Sequence, residues 1–481
     1  MSSEANGKSS LETFPLWIDG ATYKSHNVDK FAVFSAKEGK DVHFAQSATA
    51  EVAEQAAESA ARAMPAWESQ FSCSARREIL ERFAGLIETR QQELVDAQVQ
   101  ETSTSETWAR FNIEYSVGMI REIAARVTAV CTGEMPPMSA TGTFGMVIRK
   151  PIGVVLLIAP WNASVILASR SLASILAAGC TVVFKASELC PKVHHLLLEL
   201  LIEAGVPANV VSVIQTSRED AGPVTEALIV HPAIRKIEFI GSAPVGRIIG
   251  SLAGKYLKPV LMELGGKCAA VVLRDADLNH AAEKCITGGF INHGQVCFST
   301  ERIIVEKQVA DDFIALLKQK ANVWPQDRGV SARIIQAAHD KLADAHAKGA
   351  TFLLGEPAYT SKTSLAPAIL TNVTKDMDMW DEETFGPSTT VIVVDGEEEA
   401  IKVVNESKYG LDAFLFTRDM KKAVDIARRL EVGRVRVNSS GHERQSTFPT
   451  APVKNSGWGT NNAGHGIEEF LVKQVVTMDF R

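Results

Sequence analysis

A cysteine and a glutamate, each close to paired glycines, are the residues of this chain best suited to covalent chemistry. Cys297 closes the stretch Gly288-Gly289-Phe290-Ile291-Asn292-His293-Gly294-Gln295-Val296-Cys297 and leads towards Ile303-Ile304-Val305, an apolar run that reads as a strand. Upstream, Met262-Glu263-Leu264-Gly265-Gly266-Lys267 again sets an acid beside two glycines at a strand end. Glycine permits backbone turns closed to other residues. A thiol with an attendant carboxylate is the equipment of nucleophilic catalysis assisted by a base. A lone cysteine is more often a buried core residue, so the neighbouring stretches must decide.

Those stretches describe a sheet that would position both groups. Val154-Val155-Leu156-Leu157-Ile158 is short and uniformly apolar, as a parallel strand covered on both faces would be. Pro160-Trp161-Asn162 follows it, then a helical pattern from Val165 to Ala178 that stops at Gly179. Thr181-Val182-Val183-Phe184 is the next strand, and Pro191 opens a helix that ends at Gly205. Val210 to Ile214 and Lys236 to Ile240 supply two more strands. Such alternation predicts a doubly wound, parallel α/β sheet, whose ligands gather at the carboxyl ends of its strands. There the Asn162 amide could meet a substrate, or it could simply cap the following helix. Lys185 and Glu188 could hold the ribose hydroxyls of an adenosine, or form a solvated ion pair. The passage Gly241-Ser242-Ala243-Pro244-Val245-Gly246 would offer helix N-terminal amides to a pyrophosphate, although it lacks the GxGxxG fingerprint.

Before this sheet, residues 1–47 read as short β pieces and turns, and Thr49 to about Arg110 as helices. Helices stop around Pro136-Pro137, and Gly145 to Arg149 reads as a strand. After it, a second α/β region runs from about Gly265 to Phe448, with apolar strands at 269–273, 302–305, 390–394, 413–416 and 435–437. The tail from Leu471 to Phe480 is strand-like again. A chain of 481 residues exceeds one hydrophobic core and implies two or three domains. Its net charge of −7 makes no electrostatic case for nucleic acid or an anionic membrane. Seven cysteines without CxxC spacing argue against a disulfide framework or a zinc site and for a reducing compartment. No apolar stretch approaches the ~20 residues of a membrane span, and Met1 to Ser10 resembles no targeting peptide. A cytoplasmic protein without metal is expected.

The order of these stretches resembles the aldehyde dehydrogenase superfamily over nearly the whole chain. The matching pieces are Pro160-Trp161-Asn162, Lys185 with Glu188, Phe239 to Gly246, Glu263-Leu264-Gly265-Gly266-Lys267, Gly294-Gln295-Val296-Cys297, Glu383-Thr384-Phe385-Gly386-Pro387 and Asn438. Cys297 to Arg302 and Lys185-Ala186-Ser187-Glu188 look closer to the salicylaldehyde, benzaldehyde and vanillin dehydrogenase branch than to the acetaldehyde or betaine aldehyde branches. The resemblance implies a Rossmann-type cofactor domain, an α/β catalytic domain and a small β oligomerisation element. Expected boundaries are 1–127 with 151–264, then 265–448, and 128–150 with 449–481. A homodimer or homotetramer should follow, because sheet edges in the bridging element need covering.

The same resemblance implies roles. Cys297 would attack the aldehyde, and the Asn162 amide would hold the oxyanion with the Cys297 backbone N–H. Removing one such donor typically costs ~100- to 1000-fold in rate. Glu263 would activate the water that hydrolyses a thioester to the acid. NAD, with NADP as the alternative, would contact Trp161, Lys185, Glu188, Gly241, Ser242, Val245, Glu383 and Phe385. Ala163, Arg170, Val296 and Phe298 would line the substrate tunnel, favouring an aromatic aldehyde. Arg170 would reach a phenol oxygen or a carboxylate, unless it forms an internal ion pair. Cys268 could line the same cavity. The chain departs from the family at Thr447-Phe448-Pro449-Thr450-Ala451-Pro452-Val453-Lys454, where two glycines of the usual loop are replaced, and at Ile240, where threonine is usual. Rival readings are a dicarboxylic semialdehyde dehydrogenase, a CoA-acylating enzyme and a catalytically silent homologue. Glu263 would be superfluous in a CoA-acylating enzyme, and a silent protein would be expected to have lost at least one of these residues.

Overall fold

A computed structural model describes residues 11–24, 28–443 and 445–480. Met1 to Ser10, on which the reading of a missing targeting peptide rests, and Arg481 lie outside the described residues.

Two large sheets organise the molecule. The first has eight strands, with Val154–Ile158 flanked by Thr181–Lys185 on one side and Ile234–Ile240 on the other. Val211–Ile214 extends one wing and Val260–Glu263 the other, all in parallel. Short antiparallel strands, Trp17–Ile18 and Gly457–Trp458, join the two wings. Strand order therefore reverses between Val154–Ile158 and Ile234–Ile240, and that reversal opens a crevice at their carboxyl ends. The central strand Val154–Ile158 is apolar throughout, and helices cover the sheet around it. All fifteen residues of the helix Ser164–Ala178 are buried, and Gly179 ends it at φ 91°. Pro191 opens the helix Pro191–Ala204, and Gly205 ends it at φ 108°.

The second sheet has seven strands in the order Thr351–Leu354, Ala368–Thr371, Ser388–Val394, Arg302–Glu306, Ala269–Val272, Asp412–Phe416 and Arg434–Val437. All its pairings are parallel except that of Thr351–Leu354 at one edge. Helices Ala50–Gln70, Cys73–Thr89, Gln91–Thr102 and Glu106–Val130 account for the early helical pattern, with Thr49 accepting from the Val52 N–H as first cap.

Thr143–Pro151 and Leu471–Asp479 pair antiparallel as a separate two-stranded ribbon, largely exposed. The rest of the stretch 449–481 pairs with other elements. Val453–Lys454 pairs with Tyr409–Gly410, and Gly457–Trp458 pairs with Val260–Glu263. The Trp458 indole N–H donates to the Val260 carbonyl at 2.8 Å, which fixes that edge.

Candidate active site

The turn after Val154–Ile158 carries Asn162, and three bonds hold it. Its carbonyl accepts from the Trp108 indole at 3.0 Å and from the Asn292 amide at 3.2 Å. Its own Nδ2 donates to the Gln295 carbonyl at 3.1 Å, two residues before Cys297. The following helix is capped at Ala163 without any side-chain bond. Asn162 is thus bonded to the cysteine loop and does not cap its own helix.

That loop is held in an unusual backbone conformation. Asn292, His293 and Gly294 have φ of 51°, 59° and 72°, and two such residues in succession without glycine cost energy that neighbours must offset. The Asn292 carbonyl oxygen of the side chain accepts from Thr104 at 2.7 Å, and the Leu365 N–H donates to His293 Nε2 at 3.1 Å. Burial lowers the His293 pKa to about 3, so the ring stays neutral and can accept. Gln295 accepts from Val330 N–H at 3.0 Å and donates to Asn292 O at 2.9 Å. A Cβ on Gly294 would fall 2.0 Å from the Gly386 carbonyl, so glycine is required there. Cys297 emerges half-buried on the turn that follows, whereas Cys268 and Cys285 are buried.

Glu263 ends its strand with its carboxylate 2.8 Å from Arg170 Nη2. The Arg170 guanidinium is fully buried, and a second carboxylate, Glu238, adds its attraction. Ser171 donates to Glu238 at 2.6 Å. Burial raises the Glu238 pKa to about 7, although Arg170 and Ser171 oppose the rise. The expectation that Arg170 meets substrate is therefore corrected. A cation without solvent contact needs internal counter-charge; Glu263 and Glu238 supply it, and Arg170 itself does not line the cleft. The C-terminal loop supports the Glu263 turn. Leu264 N–H donates to Ser456 O, and Ser456 Oγ donates to Gly265 O, both at 2.8 Å.

Gly265 and Gly266 explain themselves by close approach. A Cβ on Gly265 would lie 2.2 Å from the Glu383 carboxylate, and one on Gly266 would lie 2.7 Å from the Cys297 carbonyl. Gly266 N–H donates to Glu383 at 3.1 Å. Burial raises the Glu383 pKa to about 8, with neighbouring Glu301 adding to the rise. Glu301 in turn braces the Glu383 loop. Its carboxylate accepts from Thr384 N–H at 2.9 Å and Phe385 N–H at 3.2 Å, and pairs with the buried Lys267 at 2.5 Å.

These pieces enclose a cleft of about 350 Å³ lined by Trp161, Asn162, Gly241, Ser242, Glu263, Cys297, Glu383 and Phe385. Phe385 stands edge-on to Trp161, ring centres 6.1 Å apart. The remaining expected residues lie elsewhere. Lys185 is buried at its strand end, which lowers its pKa while Glu188 opposes that. Glu188 lines an adjoining recess with Arg218 and Ser331, and Val245 is exposed on the first turn of the helix Ala243–Lys255. Ala163, Val296 and Phe298 pack with Trp108 and Phe111 behind the cysteine turn, where a Cβ on Gly441 would fall 2.1 Å from the Phe298 ring. Cys268 is buried, and its thiol donates to the Cys297 carbonyl at 3.8 Å from outside the cleft.

Several contributors were not foreseen. Arg333 and Lys341 face the cleft from the helix Ala332–Ala347, whose sequence reads as an ordinary amphipathic helix. Trp108, Phe111 and Tyr115 form an aromatic ladder on the helix Glu106–Val130, with ring centres 5.3 and 5.9 Å apart. Their spacing of three and four residues was the available signal.

The cleft suits a dinucleotide. It sits at the sheet's switch point, it is lined by Gly241 and Ser242 at a helix start whose first-turn amides take no side-chain cap, and it carries the cations Arg333 and Lys341. Among the described residues, no cluster of His, Cys, Asp or Glu could hold a metal ion, and no helix is long and apolar enough to cross a membrane.

Residues 23–476 match the aldehyde dehydrogenase family. Vanillin dehydrogenase from Pseudomonas fluorescens is 38% identical over 474 residues, covering 96% of this chain and 97% of the relative. Salicylaldehyde dehydrogenase from Pseudomonas putida is 35% identical over 479 residues, covering 96% and 98%. Among solved structures, a salicylaldehyde dehydrogenase from Pseudomonas putida G7 complexed with salicylaldehyde superposes with a TM-score of 0.94 at 34% identity, covering 97% of this chain and 98% of that one. The half-buried cysteine turn, the acid beside its paired glycines, the cleft at the switch point and these likenesses agree: the chain belongs to the aldehyde dehydrogenase family and is an NAD(P)-dependent aldehyde dehydrogenase.

Proposed function

We propose that this enzyme oxidises an aromatic aldehyde to the carboxylic acid through a thiohemiacetal and a thioester on Cys297. The observation that carries the aromatic reading is the ladder Trp108, Phe111 and Tyr115, with Phe298, packed beside the Asn162–Cys297 centre. Flat rings offer an aryl group stacking and edge contacts that an alkyl chain cannot repay equally. The vanillin and salicylaldehyde dehydrogenases among the relatives support the same class.

Cys297 as thiolate adds to the carbonyl carbon. One Asn162 N–H is held by Gln295 O, so its second N–H joins the Cys297 backbone N–H at the oxyanion. When bound, NAD or NADP supplies the hydride acceptor. Lys185, Gly241, Ser242, Glu383 and Phe385 orient it, with Trp161 at the inner end and Val245 along the exposed helix face. Glu188 favours NAD, because its charge repels a ribose 2′-phosphate, while Lys185 and Arg333 temper the preference. Glu263, released from Arg170, takes a proton from the water that opens the thioester.

A dicarboxylic semialdehyde would need a free cation at Arg170, and that cation is engaged by Glu263. We further assign 1–127 with 151–264 to the cofactor domain and 265–448 to the catalytic domain. The ribbon of Thr143–Pro151 and Leu471–Asp479 would then bridge subunits of a cytoplasmic homodimer or homotetramer, its exposed Ile148, Val472 and Val475 calling for cover. Benzaldehyde, hydroxybenzaldehydes, hexanal and succinic semialdehyde, each assayed by absorbance of the reduced cofactor, test the assignment. Aryl aldehydes should lead in kcat/KM, and a preference for hexanal would overturn it.

A further inference from the structure

Two cysteines that take no part in the cleft meet where two helices approach each other. Cys73 is the first residue of the helix Cys73–Thr89, and Cys131 caps the C-terminus of Glu106–Val130. Arg76 lies between them. Its Nε donates to Ala177 O at 3.1 Å, Nη1 to Phe71 O at 2.7 Å and Nη2 to the Cys73 sulfur at 3.4 Å. The Cys131 thiol donates to the same Ala177 carbonyl at 4.0 Å, and each cysteine perturbs the other's thiol. Both are half-buried, whereas Cys180, Cys190, Cys268 and Cys285 are buried. A Cβ on Gly179 would stand 3.1 Å from Arg76 Nη1, so glycine leaves the guanidinium its place.

A sulfur at a helix N-terminus and under a guanidinium has its thiolate form favoured. The neighbouring Cys131 thiol is the largest cause lowering the Cys73 pKa to about 6, while Cys73 in turn raises that of Cys131. One sulfur is thereby a nucleophile and the other its waiting thiol, within reach of solvent.

We propose that Cys73 and Cys131 form a peroxide-responsive dithiol, separate from the catalytic cysteine, that closes reversibly to a disulfide. The Cys73 thiolate attacks one oxygen of a hydroperoxide, the O–O bond breaks, and a sulfenic acid forms as hydroxide leaves to be protonated. Cys131 then attacks the Cys73 sulfur, its proton passes to the departing oxygen, and water leaves. In sum two thiols and hydrogen peroxide give one disulfide and two waters, with the two electrons passing from sulfur to peroxide oxygen. The bond ties the start of Cys73–Thr89 to the point where the chain leaves Glu106–Val130 for the ribbon strand Thr143–Pro151.

The full-length Cys297→Ala protein, treated with hydrogen peroxide, then alkylated, digested without reductant and mapped by mass spectrometry, tests this. A peptide pair joined through Cys73 and Cys131 should appear, vanish on reduction, and be absent from Cys73→Ser and Cys131→Ser versions. Alkylation of Cys73 by iodoacetamide should reach half its maximal rate near pH 6, and Cys131→Ser should move that midpoint towards the ordinary value of about 8.5. The proposal fails if both thiols stay alkylatable after peroxide, if Cys73 over-oxidises without linking, or if its midpoint ignores the loss of Cys131.

Discussion

Two buried ion pairs flank the cleft, and they are built differently. On one side Glu301 is saturated, with Lys267 at 2.5 Å and backbone N–H groups of Thr384 and Phe385 on the same carboxylate. Lys267 also donates to Thr384 Oγ1 at 3.1 Å. On the other side Arg170 Nη2 donates to Glu263 at 2.8 Å, while among the described residues Arg170 Nε, Arg170 Nη1 and Glu238 Oε2 find no hydrogen-bond partner. Buried polar groups are ordinarily satisfied, and each exception calls for a reason. The saturated pair braces the Glu383 loop outside the reacting centre. The other holds a carboxylate that lines the cleft beside Cys297. The saturated pair serves rigidity, and the pair with orphaned guanidinium atoms presents its carboxylate to the cleft.

If that contrast holds, Glu263→Gln should lose turnover by ~100- to 10,000-fold, its chief effect. A burst of reduced cofactor should survive, because the base acts after hydride leaves; undiminished steady-state turnover would remove Glu263 from the role. Glu301→Gln should behave oppositely. It strands Lys267 in the interior, and denaturant titration should read a loss of about 3–5 kcal/mol. A change under 1 kcal/mol would erase the distinction between brace and working group.

Arg170→Leu sharpens the comparison further. Without its cation the neighbouring carboxylates favour their neutral forms. The acid limb of the turnover profile should move up by about one pH unit, roughly fivefold in rate at the old midpoint. The loss should be alike for hydroxybenzaldehydes and benzaldehyde; a loss confined to the hydroxylated substrates would restore Arg170 to the substrate pocket.

The smallest effect concerns Glu383. Its native pKa lies near 8 against an ordinary 4.5, so the folded state keeps a proton that the unfolded chain gives up first. That contribution to stability is fully present below about 4.5, falls as pH rises, and levels off above about 8. Glu383→Gln removes the titration. Its melting temperature relative to wild type should therefore rise between pH 5 and pH 8 in protein without added cofactor. A difference independent of pH would show that the burial of Glu383 carries no linked proton.

Much of the working chemistry was legible in the chain because it depends on backbone turns that few residues can make. Gly265-Gly266 and Gly294 mark places where a carboxylate or a carbonyl comes within contact of the main chain, and Cys297, Glu263 and Asn162 stand beside them. Strands buried on both faces announce themselves as uniform apolar runs, so the parallel sheet was legible too. What periodicity reports is which face of an element is apolar, never what packs against it. Hence Arg170 read as a substrate contact until Glu263 and Glu238 were found around it. The Trp108–Phe111–Tyr115 ladder and the pairing of Gly457–Trp458 with the sheet edge at Val260–Glu263 likewise depend on what packs against each element. Local motifs brought out the candidate groups Cys297, Glu263 and Asn162. Only tertiary packing, which brings residues more than ninety positions apart into one ion pair, decided which charges are neutralised inside and which groups are left to work.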